Sequence, residues 1–247
     1  MSFFRTLGTP RQPVPREHSR TVSIAGREVP LDVRSHPRAR RLTLRIAPEG
    51  GLRLTVPPRV ARREVDDFLA RHEGWAAERL ARLPARAHVG IGTVLPIGGK
   101  PHEVAHSGKL RGLSMREDGR LIVSGPEERA GARVRDWLKR EAHAALEPLV
   151  AAYAREVERP VKALRVKDTR SRWGSCTHDG SLSFSWRLSM APPFVLDALA
   201  AHEVAHLVHM NHGEAFWALA RSLCADTDDA REWLRREGAG LQAWRFE

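Results

Sequence analysis

Alternation of apolar and polar residues marks four short strands early in the chain, at 21–24, 28–34, 41–47 and 52–56. Glu49-Gly50-Gly51 reads as the turn between the last two. From 63 to 83 the period lengthens, and Val65, Phe68, Leu69, Trp75, Ala76, Leu80 and Leu83 supply the buried face of a helix. Residues 84–92 read as a linker. The pattern then recurs. An offset of 69 positions pairs Leu44 with Leu113, Gly50 with Gly119, Leu52 with Leu121, Pro57 with Pro126 and Phe68 with Trp137. With a slip of four more, Ile24-Ala25-Gly26-Arg27 matches Ile97-Gly98-Gly99-Lys100. Two β-rich units, each closed by a helix, would produce this self-similarity.

A second helix is expected over 130–157, burying Val134, Trp137, Leu138, Leu146, Leu149 and Tyr153. Pro148 lies inside it and is expected to kink or split it, because proline lacks the donor and clashes with the preceding turn. Strands follow at 163–167 and 181–186, with loop and turn residues between them. From Pro193 onward the chain reads as helical, with breaks near 211–213 and 226–229. Strands followed by helices make the fold α+β.

The 247 residues are 42% hydrophobic and 29% charged, which suits a packed globular protein and excludes wholesale disorder. No apolar run approaches the ~18 residues of a membrane span. Residues 1–20 carry Pro10, Pro13 and Pro15 but no apolar h-region, and are expected to be a flexible basic arm of a cytoplasmic protein. Two cysteines, Cys176 and Cys224, also suit a reducing compartment. Of the 41 basic residues only five are lysine, and the net charge is +11. Clusters at Arg38-Ala39-Arg40-Arg41 and 59–63 would suit nucleic acid as a partner, or form a solvated face.

The chemistry concentrates in Ala201-His202-Glu203-Val204-Ala205-His206-Leu207-Val208-His209-Met210-Asn211-His212. Histidines four apart share a helix face, so His202 and His206 can reach one Zn²⁺. Glu203 can take a proton from a zinc-activated water and deliver it to a leaving amine. A catalytic zinc keeps three protein ligands. His209 is a poor third, since it sits about 10 Å along the axis from His202 at 1.5 Å per residue. It reads as a supporting or packing histidine. His212 fits if the helix stops near Met210, with Asn211 taking a left-handed conformation. Cys176 is a small buried residue or an alternative ligand. Arg172 and Trp173 lie on a loop before the strand at 181–186, which is expected to border the cleft as a sheet edge. They are candidate substrate or oxyanion contacts, or else an ion pair and a core residue.

One resemblance covers these segments. Thr169-Arg170-Ser171-Arg172-Trp173-Gly174-Ser175-Cys176, Trp186-Arg187-Leu188, Ala191-Pro192-Pro193, the histidine segment and Phe216-Trp217 occur in an order similar to the YgjP-like metallopeptidases, relatives of the SprT-like zinc proteases. The resemblance is specific from Thr169 to Trp217 and looser back to Thr21. It implies a zincin-like catalytic domain over 127–247, with an HExxH metal helix beside a small mixed sheet and a β-rich region at 21–126 before it. It implies zinc as cofactor, His202, His206 and His212 as ligands, Glu203 as general base, and a protein or peptide substrate. Two other readings remain at this point: a deformylase-like amide hydrolase using Cys176 in place of His212, and a nucleic-acid-binding protein with a structural zinc.

Overall fold

A computed structural model of the chain describes residues 17–47, 50–81, 86–169 and 172–247. Of the arm expected over 1–20, residues 1–16 lie outside this set. The chain divides into two compact units, Met1–Leu83 and Pro84–Glu247. The expected boundary at 126 falls elsewhere because the second β-rich segment shares a core with the helices after it. Leu95, Val104 and Leu121 are buried in one cluster with Leu138, Leu182 and Val204.

In the first unit, β1 (Glu17–Ile24), β2 (Arg27–Ser35), β3 (Thr43–Ile46) and β4 (Leu52–Val56) form a sheet of order β1-β2-β4-β3. Residues 17–20 therefore belong to a strand. β2 and β4 run parallel, and the other two pairings are antiparallel. Val29, Leu31 and Val33 of β2 and Leu52, Leu54 and Val56 of β4 turn to one face, the period-two pattern of a half-buried sheet. Val65, Leu69 and Ala76 cover that face. They come from two helices, α1 (Arg62–Arg71) and α2 (Glu73–Ala81), where the pattern predicts one. His72 causes the break. It leaves helical geometry at φ −107°, ψ 9°, and its ring Nδ1 lies 2.8 Å from the Phe68 carbonyl that a continuing helix would use.

The second unit opens with β5 (Ala87–His88), inside the segment expected to be linker. β6 (Val94–Ile97), β7 (Lys100–His106), β8 (Met115–Glu117) and β9 (Arg120–Val123) form a sheet of order β6-β7-β9-β8. β7 and β9 run parallel and the other pairs antiparallel, the same connectivity as in the first unit. The turns Ala25-Gly26 and Gly98-Gly99, at equivalent places, have positive φ at both residues, as two-residue hairpin loops require. Next, α3 (Ala130–Glu156) runs through Pro148 without a split. Pro148 and Ala144, whose carbonyl loses its partner, are both exposed, so water can satisfy that oxygen.

β10 (Ala163–Lys167), β11 (Gly174–Cys176) and β12 (Ser181–Ser185) form a small mixed sheet of order β10-β12-β11. β12 is its centre, parallel to β10 and antiparallel to β11, and not the edge its alternation suggests. All five of its residues are buried. Serine is polar but small enough to pack beneath a neighbouring layer, so Ser181, Ser183 and Ser185 mimic a solvated face in sequence alone. Three helices complete the unit: α4 (Pro193–Ala205), α5 (Glu214–Leu223) and α6 (Thr227–Ala243); a final strand, β13 (Trp244–Arg245), pairs in parallel with β5. The break between α5 and α6 falls at 224–226, slightly before its expected place. Among the described residues, no helix is long and apolar enough to cross a membrane.

Candidate metal centre

α4 begins with Pro193 at its first turn, where a missing N–H costs nothing, and buries Val195, Leu196, Ala198, Ala200, Ala201 and Val204. Its last turn carries His202 and Glu203, and His206 is its C-cap. The helix stops at Ala205, earlier than the expected end near Met210. The N–H groups of Leu207 and Val208 bond to the carbonyls of Val204 and Ala205, which tightens the last turn. Asn211 is not left-handed, and Gly213 is extended at φ −75°, ψ −177°, so the tightened turn begins the chain reversal in place of a left-handed stop.

The reversal brings His212 back to the helix. One ring nitrogen from each of His202, His206 and His212 lies within 4.8 Å of the others. His202 Nε2 and His212 Nε2 are 3.2 Å apart. Two nitrogens bound tetrahedrally at 2.0–2.1 Å would sit roughly 3.3 Å apart, so this spacing fits a shared zinc-sized ion. His206 Nδ1 is 3.0 Å from the carbonyl of His209, which leaves Nε2 for the cluster. His209 thus supports the site through its backbone. Cys176 is not a member of the cluster; its Sγ lies 3.4 Å from the Thr177 carbonyl.

Phe216, fully buried in α5, packs on all three imidazoles, with ring centroids 4.9, 4.4 and 4.7 Å from those of His202, His206 and His212. No motif reading assigns it this part; its position four residues after His212, on an amphipathic helix, was the available signal. Burial, with the neighbouring imidazoles and Arg231, pushes His202 down to about 4. Burial also lowers His206. Both stay neutral at physiological pH, the form that ligates a metal.

Glu203 is 4% exposed, and its Oε2 has no hydrogen-bond partner. Burial raises its carboxyl to about 8, against the opposing charge of Arg172. β11 presses on it. A Cβ at Gly174 would collide with Oε1 and lie 2.7 Å from Cγ and Cδ of Glu203, so the close approach requires glycine. Sequence reading passed over Gly174, which stood in the quoted loop segment without a role.

Arg172 is exposed, and its carbonyl accepts a hydrogen bond from Thr169 Oγ1 at 2.7 Å. Trp173 packs against α6 at Gly238, where a Cβ would stand 2.9 Å from its ring, and its carbonyl accepts the Ser185 N–H. Trp173 therefore packs toward the core, while Arg172 stays exposed and its charge opposes the upward shift of Glu203. Arg170 and Ser171 lie outside the described residues. Buried Arg187 joins the fold's frame, reaching Asp168 at 3.0 Å and the Leu241 and Trp244 carbonyls.

Converging imidazoles beside a buried carboxylate define the class of site that can hold one metal ion and act on a polar bond. The family is more specific. The family model for the YgjP-like, metallopeptidase domain matches residues 40–237, and the chain belongs to that family of metal-dependent peptidases. No curated protein and no solved structure matches the chain.

Proposed function

We propose that the protein is a zinc-dependent metallopeptidase with His202, His206 and His212 as ligands and Glu203 as general base. The observation that carries this reading is the convergence of three imidazole nitrogens within 4.8 Å beside a carboxylate with an unpartnered oxygen. Zinc held there supplies two things peptide hydrolysis needs: a polarised carbonyl and a water acidic enough to attack at neutral pH.

The chain's own residues do the rest. Glu203 Oε2 takes a proton from the attacking water as its oxygen bonds to the carbonyl carbon. The same carboxyl returns that proton to the amide nitrogen as the C–N bond breaks, giving an acid and an amine. Oε2 has no hydrogen-bond partner of its own, so it is free to carry that proton between the two steps. Arg172 supplies positive charge near the developing oxyanion. β11, at one edge of its sheet and against Glu203, is the strand on which an extended peptide would lie.

Two further readings belong here. The shared connectivity of the two four-stranded sheets, and their matching hairpin turns, support a duplicated β unit. Two free thiols support a reducing, cytoplasmic setting.

The test is a metal-loaded protein assayed on a peptide library with and without a chelator, beside Glu203→Gln. Zinc should bind both proteins at one per chain, and turnover should fall 10²- to 10⁴-fold in the variant, the span of general-base contributions. Parent-like turnover in Glu203→Gln would remove the assignment.

A further inference from the structure

The histidine cluster leans on Trp217, whose ring centroid is 5.6 Å from that of His202 and 5.5 Å from that of His212. Arg231, on α6, lies over the same indole with Cζ 4.1 Å from the ring centroid. That is inside the ~6 Å range of cation–π attraction. A guanidinium resting on an indole keeps its planar fork of N–H donors, the group that grips a carboxylate. Asp228 takes up part of the charge, accepting Arg221 Nε at 2.7 Å and Arg231 Nη1 at 3.1 Å. Asp228 is thus shared between two guanidiniums. Guanidinium carries five N–H donors, so Arg231 keeps others free of Asp228. Its side chain is 54% exposed. His212, Trp217 and Arg231 thus form a continuous, partly exposed wall ending in a cation.

We propose that Arg231 is a specificity residue that binds a carboxylate of the peptide substrate, a few residues from the bond that is cut. The proposal rests on the peptidase reading above and deepens it. The stacking steps put the guanidinium no more than about 10 Å from the His212 ring, the reach of about three extended residues at ~3.3 Å each. The carboxylate can belong to an acidic side chain or to the peptide's C-terminus. Both present the same two oxygens to the same edge.

The experiment uses the zinc-loaded full chain and one peptide series carrying Glu, Gln or Lys three residues from the cleaved bond, each with a free or an amidated C-terminus. The parent should prefer a carboxylate-bearing peptide about tenfold in kcat/KM, mainly through KM. Loss of preference on amidation assigns the carboxylate to the chain end; its survival assigns it to the side chain. In Arg231→Gln the ratio should fall to near one. In Arg231→Glu it should invert in favour of the Lys peptide, which a merely structural role would not produce. Dissociation constants of the same peptides for zinc-loaded Glu203→Gln, with and without Arg231→Gln, read the contact without turnover. Equal treatment of charged and neutral peptides by the parent, or equal losses for both in Arg231→Gln, would overturn the proposal. If nothing is cleaved but the carboxylate preference in binding persists and depends on Arg231, the peptidase reading fails and the anion contact stands.

Discussion

Gly174→Ala isolates the role of Glu203 without touching its chemistry. The added Cβ would stand 2.7 Å from Glu203 Cγ and Cδ and closer to Oε1. Ordinary carbon contacts lie at about 3.5–4.0 Å, so one group must move by roughly 1 Å. β11 resists, because Gly174 is in register with Phe184 of the buried central strand. The carboxylate is therefore the group that yields. A displacement of about 1 Å at a reacting group costs around 10²-fold in rate. Overpacking costs about 1–3 kcal/mol of stability, offset by about 0.4–1 kcal/mol from stiffening the unfolded chain. Gly174 has no positive φ, so backbone strain adds nothing. The three nearest atoms the new Cβ would meet all belong to Glu203. Measured together, kcat/KM on a cleaved peptide should drop about 10²-fold, the melting point should fall modestly, and zinc content should hold. Parent-like kcat/KM would show that Glu203 need not be where the structure puts it; loss of zinc would show that β11 shapes the ligands instead.

Other outcomes follow from the same geometry. His212→Ala should weaken zinc binding severely, whereas His209→Ala, which keeps the backbone carbonyl, should retain it; the reverse order in metal titrations would undo the ligand assignment. In the metal-free protein, Glu203 at about 8 favours folding below its unfolded value near 4.5, and that stability is lost as pH rises toward 8. His202 at about 4 acts oppositely, its stability being lost as pH falls from its unfolded 6.5 toward 4. Between pH 6.5 and 8 the Glu203 effect stands alone of the two. Parent stability should fall there by roughly 2 kcal/mol relative to Glu203→Gln, at about 1.4 kcal/mol per pH unit; parallel denaturation profiles would contradict it. Gly240, a helical position with open space around it, should accept alanine with a gain of about 0.5–1 kcal/mol in chemical denaturation, and a loss would mean the helix is not formed as described.

Local chemistry made much of this protein legible in sequence. β4 and β10 form where alternation predicts them, because each carries its own period-two burial. The four-residue spacing of His202 and His206 places them together on any helix. The need for a chain reversal before His212 could be read from how fast a helix carries histidines apart. What depended on residues distant in sequence could not be read this way. The rank of β12 within its sheet, the seat of Gly174 on Glu203 and the packing of Phe216 under three imidazoles are contacts between elements, and no period along one element encodes them. His72 and Pro148 mark the same limit from the other side. One breaks a helix by a side-chain bond to the backbone, and the other spares a helix because its orphaned carbonyl faces water. The donors, their spacing and many of the strands and helices that carry them follow from local pattern along the chain. Tertiary structure decided which buried groups meet, because close packing between elements sets positions to within an ångström and hydropathy along the chain does not.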